Sequence, residues 1–255
     1  MEMFIEQSWY LIALFSCIAL VAAYVDAIAG GGGTIQVSTL LLSGLPPVSV
    51  LATNKIVSMV GTMMAISKYA ASGKIRWKLV IICLPPCLFA AYLGGLLAIY
   101  LSNDWLQLII MISVVVALII TLWPQHKPVE VGQPYSTDKA IYVLTPIAFY
   151  DGLVGPGAGT YLAIFKHRFL NFSFINATAT AKPLNLATNM AASVAFVNAG
   201  KVFWPFAIPM ICASALGGWL GSHYAVKHGS KFVKKVIVWV VVGTLLLNLV
   251  KLSLS

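Results

Sequence analysis

Tyr24-Val25-Asp26-Ala27-Ile28-Ala29-Gly30-Gly31-Gly32-Gly33-Thr34 and Phe149-Tyr150-Asp151-Gly152-Leu153-Val154-Gly155-Pro156-Gly157-Ala158-Gly159-Thr160 are two versions of one phrase. Each sets an aromatic residue shortly before an aspartate, then a glycine cluster and a threonine. The echo continues downstream. Ala52-Thr53-Asn54-Lys55 returns as Ala179-Thr180-Ala181-Lys182, and Gly73-Lys74 with Trp77 returns as Gly200-Lys201 with Trp204, at the offset of 127 residues that the two lysines set. Features in register at that spacing describe a duplicated chain. Residues 1–123 form a first repeat and 140–255 a second, and the polar stretch 124–139 joins them, closing on the helix-start signal Ser136-Thr137-Asp138.

The sequence around these phrases excludes a soluble protein. Of 255 residues, 60% are hydrophobic and 9% charged, against roughly 25% charged in an ordinary soluble domain. Ser8 to Val25, Leu79 to Leu101, Trp105 to Trp123 and Val236 to Val250 carry no charge, and Phe203 to Tyr224 carries only His223. Val48 to Ala71 and Ser173 to Ala199 are also long enough for the ~20 residues a bilayer crossing needs, but they hold Lys55, Lys68 and Lys182. The first run opens with Glu2 and Glu6 instead of a basic region, so it reads as a retained span and not as a cleaved signal. Thr34 to Leu45 and Gly159 to Phe165 are too short to cross and each follows a glycine cluster, which marks them as half-helices. Broken backbone at membrane depth needs protein or a water-filled cavity around it.

Sixteen Lys and Arg against seven Asp and Glu give a net charge of +9, yet the basic residues sit in short loops and not on one solvated face, which argues against nucleic acid. Their loops set an orientation, because cytoplasmic loops are enriched in Lys and Arg. Lys68, Lys74, Arg76 and Lys78 cluster after one span of the first repeat; Lys227, Lys231, Lys234 and Lys235 cluster before the last span of the second. With both clusters inside, Lys166, Arg168 and the central linker also fall inside, Lys201 falls outside, and the N-terminus starts outside. Lys74 and its counterpart Lys201 then face opposite compartments. The expected fold is an all-α integral membrane protein of two inverted-topology repeats, each with a glycine-broken helix pair and three long transmembrane helices, an architecture of many secondary transporters.

Four ionisable residues remain inside the membrane: Asp26, Lys55, Asp151 and Lys182. Each buried charge costs roughly 2.5–3.5 kcal/mol on insertion scales, so each needs a partner, a pore or a substrate. Two readings stand. The acids neutralise the bases as structural ion pairs, or the lysines bind an anion while the aspartates orient the glycine turns or take protons. Gly31, Gly32, Gly33 and Thr34 in one turn, and Gly157, Gly159 and Thr160 in the other, would let backbone N–H groups approach that anion at two half-helix N-termini. Asn54, Asn185 and Asn189 add hydrogen-bonding groups nearby, the last two one turn apart on a helix. Pro183 frees the carbonyl of Ala179 and predicts a break or kink beside Lys182 that the first repeat lacks, so the two lysine sites need not be equivalent.

Cys17, Cys83, Cys87 and Cys212 lie inside apolar runs with no CxxC spacing, as packing residues rather than metal ligands. His126, His167, His223 and His228 fall in or beside polar connections, which leaves an intramembrane enzyme without a base, and no metal or cofactor is called for.

Asp26 with Gly30 to Gly33, Gly44-Leu45-Pro46-Pro47, Thr53-Asn54-Lys55, Gly155 to Thr160, and Gly200-Lys201-Val202-Phe203-Trp204 together resemble the TauE/SafE sulfite exporter family, also called the toluene sulfonate uptake permeases. The resemblance implies a bacterial-type plasma-membrane carrier for sulfite, sulfoacetate or other organosulfonates, without an organic cofactor. A passive anion channel, a carrier of carboxylate-type anions and a membrane partner without transport remain the alternatives.

Overall fold

The computed structural model describes residues 2–122 and 136–254. Within them the chain is helical and falls into two matched series. The first runs α1 (Glu2–Ala29), the short α2 (Gly32–Leu40) ending in a 3-10 turn (Leu41–Ser43), α3 (Pro47–Ala71), α4 (Trp77–Tyr100) and α5 (Asn103–Leu122). The second runs α6 (Thr137–Leu153), the short α7 (Ala158–Phe169), α8 (Phe174–Asn198) and α9 (Trp204–Leu254). Gly229, at φ 70° and ψ −163°, interrupts α9 and divides it into two helical pieces, so each series holds a long, a short and three long pieces. The expected linker, 124–139, lies outside the described residues except for its end, where the Ser136 hydroxyl accepts from the Lys139 N–H at 3.4 Å and caps α6.

Four stretches, Trp9–Ala29, Pro47–Ala71, Trp77–Tyr100 and Trp204–Gly229, are long and apolar enough to cross a bilayer. Their outward faces carry Leu14, Val21, Ile81, Phe89, Ile208 and Leu216, all exposed. Soluble monomers rarely expose so continuous an apolar surface, and hydrocarbon is the medium that accepts it. Trp77 and Trp204 open α4 and α9 and are about half exposed, as interfacial tryptophans are. The chain is a multi-pass membrane protein.

The packing is reciprocal between the series. α1 packs along α9 and α6 along α4, and α3 and α8 meet in the centre. The Arg76 N–H donates to the Thr180 hydroxyl at 3.1 Å, and the Phe203 N–H donates to the Thr53 hydroxyl at 3.0 Å. Both donors and both acceptors are separated by the same 127 residues. Since Arg76 follows the end of α3 and Thr180 lies early in α8, while Phe203 follows the end of α8 and Thr53 lies early in α3, the two central helices run antiparallel.

Small residues permit this closeness. A Cβ at Gly94 on α4 would meet the backbone of Phe149, Gly152 and Leu153 on α6, and one at Gly221 on α9 would meet the backbone of Tyr24 on α1. These are matched positions at matched crossings, a use of glycine common in membrane bundles.

The expectation of a break at Pro183 is corrected: α8 runs helical from Phe174 to Asn198 with Pro183 inside. Residues 177–185 are all buried among neighbouring helices, and packing of that kind holds a helix together across one lost backbone bond. Cys83 and Cys87 are buried, Cys17 and Cys212 exposed, and all four are free thiols.

Replacing Gly94 by Val pushes methyl groups into the α6 backbone and should lower the thermal unfolding midpoint of detergent-purified protein sharply. Gly73→Ala, at φ +66° with open space around it, should cost only the left-handed backbone penalty of about 1–2 kcal/mol. Equal melting of the two variants would contradict the tight α4–α6 crossing.

Candidate functional site

Lys55 is the ninth residue of α3 and Lys182 the ninth of α8, both 1% exposed in the middle of the bundle. Each reaches across to the other series. Lys55 Nζ lies 2.5 Å from Asp151 Oδ1, and Lys182 Nζ lies 2.6 Å from Asp26 Oδ2 while also donating to the Asp26 carbonyl. The four intramembrane charges therefore form two crossed ion pairs. Sequence reasoning named the four residues and left the pairing open.

The glycine turns make room for these pairs. Gly155, at φ +85°, sits so close to Lys55 that a Cβ there would be 2.7 Å from Nζ and 3.1 Å from Asp151 Oδ1. Only glycine fits that cradle. Gly30, at φ +80°, turns the chain after α1, and its carbonyl accepts from the Thr160 N–H at 3.1 Å; the Thr160 hydroxyl donates to the Ala29 carbonyl at 3.0 Å. The unpaired N–H groups opening α7 are thus met by the unpaired carbonyls closing α1. Gly159 packs on Gly30 at this junction, and Gly157, in the left-handed region, caps α7 with its carbonyl accepting from Tyr161. Gly31 caps α2, and its carbonyl accepts from both the N–H and the hydroxyl of Thr34. Gly32 packs on Ala22 and Asp26, while Gly33 faces the Gly155-Pro156 turn with space for a methyl group.

The two pairs are finished differently. Asp151 is sealed: its Oδ2 accepts from Asn185 Nδ2 at 2.8 Å and from the Thr188 hydroxyl at 2.5 Å, and Asn189 donates to Asn185 Oδ1 at 3.5 Å. Asn54 is buried but faces Ser58, whose hydroxyl donates to its Oδ1 at 3.4 Å. Asp26 keeps 17% of its side chain exposed, against 2% for Asp151. Its exposed side opens on a small cavity, with room for about one water molecule, lined among others by Gln36, Ser58, Gly61, Thr62 and Ser214.

Several of these residues escaped sequence reasoning. Gln36 and Thr62 are single polar residues in apolar runs, and only their burial at 2% each singles them out. Thr188 carries a signal that was legible, being three residues from Asn185. Lys166 was expected in a cytoplasmic loop; the structure corrects this. It is fully buried in the last turn of α7, donating to the Leu162 carbonyl at 3.3 Å, where the negative end of the helix favours a cation. Among the described residues no three His, Cys, Asp or Glu side chains converge as a metal site would require.

The sulfite exporter TauE/SafE family model matches residues 15–247. A "Probable membrane transporter protein ORF9" from Sinorhizobium sp is 33% identical over 238 residues, which cover 91% of this chain and 90% of the relative. "Probable membrane transporter protein YfcA" from Escherichia coli K12 is 30% identical over 230 residues, covering 89% and 86%, and a "Probable membrane transporter protein" from Haemophilus influenzae is 28% identical over 238. No solved structure matches. The chain belongs to the TauE/SafE family and is a membrane transporter.

Removing one member of a buried pair strands its partner, at a typical cost of about 3–5 kcal/mol. Asp151→Asn and Lys55→Met should each destabilise the purified protein strongly, and the double variant should recover part of that loss. Additive losses in thermal unfolding would show that the two side chains do not interact.

Proposed function

We propose that this TauE/SafE member is a secondary transporter of small sulfur-containing anions, sulfite or an organosulfonate, working by alternating access between two inverted repeats. The observation that carries the reading is the crossed pair of lysines, each contributed by one repeat and held by the aspartate of the other. Reciprocal Thr53 and Thr180 contacts and antiparallel central helices support a twofold axis in the membrane plane, the relation that lets two half-structures exchange inward and outward shapes about a midplane site. Loop charges support a cytoplasmic central linker and an outside N-terminus in a bacterial-type inner membrane.

In this reading Lys55 and Lys182 supply positive charge and Asp26 and Asp151 hold their places when no anion is bound. Asn54, Asn185 and Asn189 offer hydrogen bonds to substrate oxygens. Gly31, Gly32, Gly33 and Thr34, with Gly157, Gly159 and Thr160, form the turns whose missing side chains bring backbone close to the lysines. A lysine already paired with a carboxylate cannot take a second anion without exchange. Substrate binding therefore requires a carboxylate to be protonated or to swing away, which links transport to ionisation of the site.

In proteoliposomes, sulfite uptake should saturate and show counterflow, while Lys55→Ala and Lys182→Ala should cut it by about tenfold or more, the equivalent of 1.4 kcal/mol of lost interaction, with insertion intact. Flux that never saturates would assign a channel. In a background without the native cysteines, single cysteines at Lys74 and Lys201 should react with impermeant reagents from opposite faces; reaction from one face would contradict the inverted arrangement.

A further inference from the structure

The two ion pairs differ because the sequence differs at matched positions. Asn185 and Thr188, which seal Asp151, correspond at the 127-residue offset to Ser58 and Gly61, which line the cavity beside Asp26. Smaller side chains in the first repeat leave the space that larger ones fill in the second. Two buried polar groups in that space have no partner. Gln36 Nε2 on α2 and Thr62 Oγ1 on α3 are without a hydrogen bond, although both residues are 2% exposed and line the cavity. An unsatisfied buried polar group costs about 1–3 kcal/mol, so a ligand that pairs with both is strongly favoured.

We infer that this cavity is the seat of the transported oxyanion, and that Asp26, not Asp151, is the carboxylate that yields to it. This rests on the anion-transporter reading and refines it. With Asp26 in place the enclosed space is about that of one water molecule, so only an ion of few atoms is admitted, and only where the Asp26 carboxylate gives way to it. Gln36 and Thr62 donate to its oxygens, and Lys182, released from Asp26, neutralises its charge. Gly32, at the start of α2, also lines the cavity, so the positive end of that nine-residue helix faces the ion. The groups facing Asp26 are Lys182 from α8, Gln36 from α2, Ser58 and Thr62 from α3 and Ser214 from α9, with Tyr69 of α3 bonded through its hydroxyl to the neighbouring Ala27 carbonyl. Lys182 is the only formal charge among these, and in this proposal it is freed when one proton neutralises Asp26. That proton enters with the anion and charge balances for a monoanion. In this refinement Lys182 is the lysine that contacts the ion, and the Lys55–Asp151 pair stays closed and keeps α3, which carries Thr62, in place.

The test is sulfite binding to purified, detergent-solubilised full-length protein, with N-methyl-D-glucamine sulfite as probe and sodium chloride as control. Gln36→Leu and Thr62→Val should raise the dissociation constant about tenfold or more. Thr62→Ser should restore wild-type binding, and Ser193→Ala, which removes a buried hydroxyl outside the cavity, should leave it unchanged. Asp26→Asn should bind methanesulfonate, which does not titrate near neutral pH, at least as tightly as the wild type and keep its affinity as pH rises, whereas the wild type should lose affinity. Monodisperse elution confirms folding of each variant. Wild-type sulfite binding that Gln36→Leu and Thr62→Val both leave intact overturns this inference and spares the transporter reading. Binding of sodium chloride as tight as that of the sulfite salt would show that the cavity does not select an oxyanion and also overturns it. A folded wild type that neither binds nor transports sulfite or methanesulfonate overturns both.

Discussion

Two lysines and two aspartates buried in a bilayer constrain everything else in this molecule. Each charge alone would be expelled toward water, and each is tolerable only beside its opposite. Because Lys55 pairs with Asp151 and Lys182 with Asp26, neither series of helices neutralises itself, and each charge is matched by one from the other series. The antiparallel meeting of α3 and α8, the glycine turn that makes room for Lys55 and the Thr160 contact from α7 to the end of α1 all serve that exchange.

The pairs also explain how a structural feature and a binding feature can share residues. A lysine beside a half-helix start is a place built for negative charge. In the structure, aspartate occupies it. A carboxylate tethered to the protein keeps the place neutral without a ligand and, in the proposed transport cycle, is the group a substrate anion replaces. In that cycle, sealing one such place with Asn185 and Thr188 while leaving the other open beside Gln36 and Thr62 would give a near-symmetric scaffold one working side.

Much of this was legible in the sequence. The spacing of Lys55 and Lys182, the paired glycine clusters and the recurrence of Gly73 and Trp77 as Gly200 and Trp204 pointed to the two matched series of helices, and apolar length to the helices themselves. The half-helices appear within a few residues of expectation, at Gly32–Leu40 and Ala158–Phe169. What composition cannot carry is contact across repeats. Which acid meets which base depends on how α1 and α6 dock, and glycines at 94 and 221 encode closeness without saying to what. Lys166 was misplaced because a charge near a loop reads as solvated, whereas tertiary packing closes over it. No break occurs at Pro183 for the same reason, since buried neighbours hold the helix that an isolated chain would interrupt.

The most direct test counts protons. Methanesulfonate does not itself titrate near neutral pH, so any proton taken up when it binds belongs to the protein. Calorimetric titration in two buffers of different ionisation enthalpy should show uptake of close to one proton per anion bound. Binding with no proton uptake would mean that no buried carboxylate is neutralised as the anion enters, and the account in which Asp26 takes a proton and yields its lysine to the anion would be wrong.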